Sequence, residues 1–495
     1  MAVTSQLTSL IDFSGSPTFA GYGGGQAAST NTDVFIEGTQ SGGRRVDAAT
    51  DKGFGGVFTS ADLSGAGEHV KVWLFVTQWA SVTQVQIRIS SGADDDHELP
   101  TSEYPALGGF IPVWVDVSRA PESGGSANEA SIGEIGVLID IGDVGGNAQN
   151  LIVDEIMHGT SGLLWDGSSG GFADFRTYED TNNEGNLVTL NGVDFCYSRL
   201  EIGSATATTF TDSGFTLIFP DQSLVADTFM GVTVDLQNAS TSVDLSNATI
   251  QSANTASAGK RPDLTVTGTS GDLTLTNMNF LGLRTADLTS AVTIDGGILE
   301  LVNLTQSNAD ILNATIRANT ASGVALCDDP DFANLTNVTW AQAGSGHAIE
   351  LASTGTYTFT SQFFNGFGAD GTNSAAVYNN SGGSVTINIV DGGDTPTVRN
   401  GAGASTTINN AVSITLDGLV AGSRVYIENT TDSVVLFNEI EATTTFTDSV
   451  NYTADKALRI RVRNASTSTK YKAFETTGTL TSTGFSLTVN QELDE

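Results

Sequence analysis

Lysine and arginine are scarce in this 495-residue sequence, which has 20 basic residues against 56 acidic ones and a formal net charge of −36. Binding to nucleic acid requires clustered cations that neutralise phosphates, so this balance argues against a nucleic-acid partner. An anionic membrane surface is equally unfavourable, and no run approaches the ~20 apolar residues of a membrane span. Such a surface stays soluble and suits salty water, where screening limits self-repulsion.

Cysteine is also rare, because the chain has Cys196 and Cys327 alone. Disulfide-stapled secreted proteins carry more cysteines, so we expect two buried free thiols. The first residues, Met-Ala-Val-Thr-Ser-Gln, contain neither a basic region nor an apolar run, so no secretory signal is expected. These features predict assembly in a cytoplasm and later display on an exposed surface, a combination that lysis of a host cell allows.

Histidine is too sparse to suggest a zinc or iron site, and the sequence has no serine nucleophile elbow and no phosphate-binding glycine loop. The acidic run that contains Asp94 and Asp96 has the hard oxygen atoms that Ca²⁺ prefers. It lacks the spaced alternation of an EF-hand loop, and a solvated acidic loop is the simpler interpretation. We therefore expect no cofactor beyond a candidate structural Ca²⁺.

The residues that are abundant favour strands and tight turns. Threonine and valine suit half-buried pleated surfaces, and the 56 glycines, with many asparagines and aspartates, suit turns. Helix formers are few. The composition therefore predicts an all-β protein, with no helical domain.

Residues 1–160 show the alternation of a β-sandwich. Trp73 and Trp114 alternate with aliphatic residues, so we expect both in its core. The clearest alternating runs are residues 70–76, 84–89, 111–117, 135–140 and 151–156.

Two runs near the end of this region carry a family resemblance. Gly136-Val137-Leu138-Ile139-Asp140-Ile141 is followed by Val153-Asp154-Glu155-Ile156, in which aliphatic residues flank an acidic pair. With this order of strands, residues 8–158 resemble the jelly-roll carbohydrate-binding modules. The resemblance implies a jelly-roll β-sandwich, contact with sugars, and a structural Ca²⁺ for which Asp154 is the candidate ligand.

Two aromatic residues are candidates for sugar contact, which commonly uses exposed rings that stack on sugar faces. Trp79 falls just past a predicted strand, and Tyr22 lies in a glycine-rich loop. We expect both rings to be exposed.

A Gly/Ser-rich linker is predicted over residues 161–180, and a repetitive region follows over residues 181–411. There, a leucine repeatedly stands one or two residues before an asparagine, and an asparagine tolerates the left-handed conformation of a corner. The asparagines, 56, 30, 36 and 24 residues apart, are Asn191, Asn247, Asn277, Asn313 and Asn337. These distances bracket the roughly 20–30 residues of one solenoid turn.

The repetitive region resembles the right-handed parallel β-helix of phage tailspikes and pectate-lyase-like proteins. The alternative fold for this region is a second antiparallel sandwich. A polysaccharide-degrading enzyme on such a helix needs converging carboxylates. The densest acidic cluster is formed by Asp328, Asp329 and Asp331, but a solvated turn explains it more simply, so we assign no catalytic residue and expect a protein that is not an enzyme.

Residues 412–495 predict a small C-terminal β-sandwich. Arg459, Arg461 and Arg463 alternate along one predicted strand and so share a face. Such a face is normally solvated or ion-paired, and the alternative is a docking patch for an acidic neighbouring subunit. In general style, this region resembles the C-terminal modules of virion proteins from tailed phages.

The layout of sandwich, β-helix and sandwich favours a structural virion protein of a tailed phage: an exposed fibre, spike or capsid decoration. We expect a homotrimer on the virion surface, with other virion proteins and host-surface glycans as partners and no membrane insertion. The alternatives are a polysaccharide-degrading tailspike and a bacterial surface adhesin.

Overall fold

The computed structural model describes residues 3–13, 17–23, 27–36, 40–46, 52–105, 109–142, 149–160, 162–254, 260–318, 325–342, 346–452, 455–464 and 469–494. Within them the protein is predominantly β, and the chain divides into two compact units, residues 1–309 and residues 310–495.

Among its described residues, the first unit begins with thirteen strands. They are β1 (Val3–Ser5), β2 (Thr8–Ile11), β3 (Thr18–Tyr22), β4 (Ser29–Asn31), β5 (Ser41–Val46), β6 (Lys52–Ala61), β7 (His69–Val76), β8 (Val82–Ser90), β9 (Asp94–Leu99), β10 (Phe110–Asp116), β11 (Ser123–Gly124), β12 (Ile132–Ile141) and β13 (Gln149–Gly159). Short 3-10 turns occupy Trp79–Ser81, Thr101–Glu103 and Glu129–Ser131.

Twelve of these strands form the two sheets of a β-sandwich, which confirms the sandwich prediction. The first sheet has the order β10-β7-β13-β5-β4, with β2 also on β13, and the second has the order β11-β9-β8-β12-β6-β3. Alternate residues from both sheets meet in one core that contains Val72, Leu74, Ile87 and Val137. Trp73 and Trp114 are buried, but they lie on the opposite face of the first sheet from this core, so the expectation that both pack in the sandwich core is wrong. Later residues of the first unit cover that face, because Trp73 donates to the Asn183 carbonyl and Trp114 packs on Phe229.

The segment predicted as a linker over residues 161–180 is instead structured. It contains the strand β14 (Leu163–Trp165) and most of the helix α1 (Phe172–Asn182). Phe172 and Phe175 are fully buried, and the Trp165 indole donates a hydrogen bond to Asp174 at 3.0 Å. The linker prediction is wrong because two buried phenylalanines anchor the segment despite its glycines.

Eleven further strands follow in the described part of the first unit. They are β15 (Leu187–Leu190), β16 (Val193–Cys196), β17 (Arg199–Ile202), β18 (Thr209–Ser213), β19 (Thr216–Phe219), β20 (Gly231–Asp235), β21 (Ser242–Ser246), β22 (Thr249–Ser252), β23 (Asp263–Thr267), β24 (Asp272–Leu288) and β25 (Val292–Gln306). Most pair in parallel with a later strand: β18 with β21, β21 with β24, and β24 with β25.

The second unit has sixteen strands among its described residues. They are β26 (Asp310–Leu312), β27 (Thr315–Ala318), β28 (Ala325–Asp328), β29 (Leu335–Ala341), β30 (His347–Leu351), β31 (Gly355–Asn365), β32 (Val377–Asn379), β33 (Ser384–Val390), β34 (Val398–Asn400), β35 (Ser405–Asp417), β36 (Ser423–Asn429), β37 (Val434–Glu441), β38 (Thr445–Asn451), β39 (Lys456–Asn464), β40 (Phe474–Leu480) and β41 (Phe485–Thr488).

Parallel pairing also dominates the first part of the second unit, where β28 pairs with β30, β30 with β32, and β32 with β34. Towards its end, β35 pairs with β38 and β41, and a separate sheet has the order β37-β36-β39-β40. Ile414 and Leu416 share a buried core with Val425, Ile427 and Ile460 of that sheet.

The corner asparagines behave as the sequence predicts. All five residues adopt the left-handed conformation, with φ between 51° and 55°: Asn191, Asn247, Asn277, Asn313 and Asn337. Within a unit they also stack, because the Asn337 amide donates to the Asn313 side chain at 2.7 Å. Backbone conformation and side-chain ladder therefore both explain why asparagine recurs.

Both cysteines are buried and neither is part of a disulfide, as expected. In the described part of the chain, no helix is long and apolar enough to cross a membrane.

Candidate functional site

Trp79 does not expose its ring. Only 5% of the residue is accessible, and the ring packs in the sandwich core with its centroid 5.3 Å from that of Tyr104. Trp79 begins the 3-10 turn that follows β7, and its side chain packs among the apolar residues of the sandwich core. The expectation of an exposed indole is therefore wrong, and Trp79 contributes to the core.

Tyr22 is partly buried, and its ring is enclosed. A Cβ at Gly55 or Gly136 would lie 2.4 Å or 2.5 Å from the hydroxyl oxygen, so the ring rests on bare glycine backbone. The Arg88 guanidinium lies over the ring at 4.8 Å, and the Tyr22 hydroxyl donates to Glu134. Burial, reinforced by Glu134, raises the pKa of the Tyr22 phenol. The predicted exposure is wrong, and the ring organises an ionic network.

Asp94 and Asp96 belong to the same network. They lie in β9, which pairs with β8, so the interpretation of this run as a solvated acidic loop is wrong. Asp96 accepts two hydrogen bonds from Arg88, at 2.7 Å and 2.8 Å, and Asp94 forms an ion pair with Arg88 at 2.9 Å. Among the residues that the structure describes, no group of three or more His, Cys, Asp or Glu side chains is arranged to hold a metal ion. The Arg88 guanidinium therefore lies between these carboxylates, where the Ca²⁺ hypothesis would place the metal ion.

The acidic pair of the carbohydrate-binding-module resemblance is buried. Asp154 accepts hydrogen bonds from the backbone N–H groups of Ile36, at 2.6 Å, and Glu155, at 3.0 Å. Glu155 is the extra residue of a bulge in β13 with a φ of 31°, and it pairs with Lys71 at 3.1 Å. Both carboxylates thus have structural contacts within the described chain.

The acidic cluster in the second unit consists of two carboxylates that hold turns and one that is exposed. Asp331 accepts from the backbone of Ala333 at 3.1 Å and caps a 3-10 turn, and Asp329 accepts from the backbone of Ala352 at 2.9 Å. These two carboxylates hold turns. Asp328 differs, because it is exposed at the end of β28 and lies beside Glu350 of β30 in the parallel ladder.

Asp328 begins a row of polar side chains along one face of the parallel ladder. Cα pairing runs from Asp328 to Glu350, from Glu350 to Tyr378 and from Tyr378 to Arg399. Paired residues in parallel strands point to the same face, and neighbouring strands lie about 4.8 Å apart. We call Asp328, Glu350, Tyr378 and Arg399 the polar row.

Two side chains pack on the Tyr378 ring at the aromatic and basic end of the polar row. Arg399 lies over the Tyr378 ring at 4.7 Å, and the buried His347 stacks on the same ring with a centroid distance of 5.0 Å. The His347 Nδ1 is 2.6 Å from the Ala375 carbonyl oxygen, and its Nε2 is 3.4 Å from the Arg399 guanidinium. Burial lowers the pKa of His347, so the neutral ring donates to Ala375 and accepts from Arg399.

The acidic end of the polar row holds two adjacent carboxyl groups. Glu350 accepts a hydrogen bond from the Asn380 amide at 2.7 Å, and Asn380 in turn accepts from the Tyr378 hydroxyl at 3.1 Å. Partial burial and the charges of Glu350 and Asp329 raise the pKa of Asp328. The row thus offers carboxylates, an amide, a phenol and a guanidinium in a line.

Asp328 could be singled out from the sequence, whereas the other members of the polar row could not. Glu350, Tyr378 and Arg399 are 22, 50 and 71 residues further along the chain. Loops of unequal length separate them, so no fixed period marks them. The signal available in the sequence is that each member directly follows an apolar residue: Cys327, Ile349, Val377 or Val398.

The arginines predicted to share a face do so. On β39, Arg459 and Arg461 alternate with buried Ile460 and Val462. Arg461 pairs with Glu475 at 3.1 Å, and Arg459 lies 3.5 Å from the same carboxylate. Arg463 continues the stripe as an exposed residue.

Comparisons with known proteins return partial structural likenesses. No family model matches the sequence, and no curated protein matches it. A family 11 carbohydrate-binding module from Clostridium thermocellum, in complex with a mixed-linked tetrasaccharide, is 15% identical, with a TM-score of 0.23 over 31% of this chain and 94% of that one.

An exo-β-agarase is 13% identical with a TM-score of 0.23, and the match covers 30% of this chain and 24% of the agarase. A Clostridium thermocellum xylanase 10B is 8% identical with a TM-score of 0.18, over 40% of this chain and 37% of the xylanase. The structural neighbours are thus carbohydrate-binding modules and chains related to glycoside hydrolases, and this chain spans about a quarter of the agarase.

Proposed function

We propose that this protein is a β-structured surface protein that binds glycans along the polar row of its second unit. The observation that carries the proposal is the in-register line of Asp328, Glu350, Tyr378 and Arg399 on one ladder face. Four members at the spacing of parallel strands span about 14 Å. That length suits an extended chain of sugars better than a single small molecule.

The chemistry of the polar row matches the groups on a sugar. Hydroxyl groups donate to the Asp328 and Glu350 carboxylates and accept from the Arg399 guanidinium and the Asn380 amide. Tyr378 offers a ring edge and a hydroxyl group at the centre of the row. Because His347 and Arg399 brace that ring, little side-chain freedom remains to be lost on binding.

A glycan array tests this proposal. The wild-type protein should retain a defined set of polysaccharides, and Tyr378→Ala should lose that set. Tyr471→Ala, which alters a tyrosine of the same unit outside the polar row, is the matched control and should retain it. Identical retention by all three proteins would refute the assignment of the site.

We further propose that the protein is displayed on the surface of a tailed-phage particle as a fibre, spike or decoration component. The acidic composition and the repeated asparagine corners support a rigid exposed scaffold. In this proposal, the parallel ladders of each unit wind as a right-handed β-helix, the chain forms a homotrimer and other virion proteins anchor it. Mass in solution and copy number in purified particles test it: a monomer absent from particles would contradict it.

Depolymerisation of the bound glycan is the second candidate function, favoured by the Asp328–Glu350 pair. Glycosidase chemistry uses one carboxyl group that keeps its proton and acts as general acid, with a second carboxyl group beside it. Asp328, whose pKa is raised, lies beside Glu350 and fits the role of the general acid. Asp328→Asn and Glu350→Gln should each abolish chain shortening, whereas Asp391→Asn, a conservative change elsewhere in the unit, should not. Polysaccharide chains that keep their length with wild-type protein would leave binding as the function.

A further inference from the structure

The C-terminal sheet carries a basic cavity that lies apart from the polar row. A concave space of about 300 Å³ is lined by Arg424, Tyr426, Asn438, Arg461 and Arg463. These residues come from the adjacent strands β36, β37 and β39, and they share the face opposite the buried Val425 and Ile427. We call these five residues the arginine cavity.

Strand register places like charges side by side in the arginine cavity. Arg424 is the direct cross-strand partner of Arg463, and Tyr426 is the direct partner of Arg461. Like charges directly opposite each other destabilise a sheet. The chain has 14 arginines and a net charge of −36, so acidic residues that could separate these arginines are plentiful. The direct pairing of arginines in the cavity therefore indicates a site for an anionic ligand.

The cavity is only partly neutralised by the protein. Arg461 pairs with Glu475 at 3.1 Å on the rim, and the Arg424 Nε donates to the Asn438 side chain at 2.9 Å. Among the residues that the structure describes, neither Arg424 nor Arg463 forms an ion pair with a carboxylate. Both guanidinium groups are exposed and can turn their planar donor forks towards an oxyanion.

We propose that the arginine cavity binds an anionic sugar residue, one that bears a sulfate ester or a carboxylate. The arginines supply bidentate donors for the oxyanion, and the Tyr426 ring and the Asn438 amide lie beside them for the sugar. The volume is larger than a bare oxyanion needs and lies at the lower end of the range for small-molecule sites. This site goes beyond the glycan-binding polar row and does not depend on it.

Calorimetric titration at low ionic strength tests the proposal with inorganic sulfate, glucose 6-sulfate, glucuronate and glucose. The wild-type protein should bind glucose 6-sulfate or glucuronate more tightly than inorganic sulfate and should not bind glucose. Arg424→Gln/Arg463→Gln should weaken that binding by at least about tenfold. Arg459→Gln, which changes an arginine of the same strand outside the cavity, should leave it within about twofold.

A thermal melt checks the folding of the double variant and adds an independent readout. Because the substitutions remove repulsion between paired arginines, the variant should melt no lower than the wild type without ligand, and sulfate should raise the Tm of the wild type alone. Tyr378→Ala should keep sulfate binding. A loss of glycan binding at the polar row can therefore be distinguished from a loss of anion binding at the arginine cavity.

Three results would overturn the arginine cavity proposal. The first is equal binding by wild type and double variant, and the second is that neither glucose 6-sulfate nor glucuronate binds more tightly than inorganic sulfate. The third is an oligomer that the double variant disrupts, because that would assign the arginines to an acidic face of a second copy of the chain.

Discussion

Lys71 and Glu155 form a buried ion pair between neighbouring strands of the first sheet. Their charged atoms are 3.1 Å apart, and the side chains are 0% and 7% exposed. The bulge in β13 brings Glu155 into position, and the Lys71 ammonium also lies 5.5 Å from the centre of the Trp73 ring. The pair lies beside the buried Glu179 of α1, whose charge acts on Lys71.

Breaking this pair should destabilise the first unit strongly. Lys71→Met leaves the Glu155 carboxylate buried without this ammonium, and Glu155→Gln does the reverse, so each should lower the free energy of unfolding by about 3–5 kcal/mol. The double variant should lose much less stability than the losses of the two single variants added together. Urea denaturation of all four proteins measures the coupling, and strictly additive losses would contradict an interaction between the two charges.

Glu179 should make the stability of the first unit depend on pH. Burial raises the pKa of this carboxyl from 4.5 to about 7, although the N–H groups of Gly185 and Asn186 oppose the shift. As the pH rises, Glu179 therefore stays protonated to a higher pH in the folded state than in the unfolded state. Stability should therefore fall as pH rises from about 4.5 to about 7, by at most about 3 kcal/mol from this group.

Glu179→Gln removes the titrating group, so it should flatten that part of the stability profile. Unfolding free energies at several pH values between 4 and 8 check this expectation against the wild type. A variant whose stability changes with pH as much as that of the wild type would assign the dependence to other groups.

The corner asparagines predict a residue-specific effect on stability. Asn337 has a φ of 55° and donates to Asn313 at 2.7 Å. Asn337→Ala should cost about 1–2 kcal/mol for the left-handed backbone in addition to the lost hydrogen bond. Asn337→Gly should lose the hydrogen bond alone, so its Tm should lie between those of the wild type and the alanine variant. Equal Tm values for both variants would show that the backbone conformation carries no cost.

These corners show which parts of the fold the sequence could predict. A residue that must adopt positive φ leaves a local mark, and Asn191 and Asn247 were found by that mark alone. The alternation of the sandwich strands is equally local. Phe172 and Phe175 belong to a different class, because their burial depends on contacts with distant residues such as Phe210, and local composition indicated a linker.

The candidate site was harder to predict for the same physical reason. Trp79 looked exposed because it follows a predicted strand, and Tyr22 because it lies in a glycine-rich stretch. Tyr104 and Arg88, which come from other parts of the chain, pack on the two rings. The polar row depends on register between strands separated by loops of unequal length. Only the paired backbone shows that Glu350 lies between Asp328 and Tyr378.

The affinity of the polar row for a polysaccharide chain tests the central claim most directly. With a glycan retained by the wild type, titration should show that Tyr378→Ala weakens binding by about tenfold or more, as expected for a central aromatic contact. The Tyr471→Ala control should bind like the wild type. Wild-type affinity in a correctly folded Tyr378→Ala protein would contradict glycan binding at the polar row.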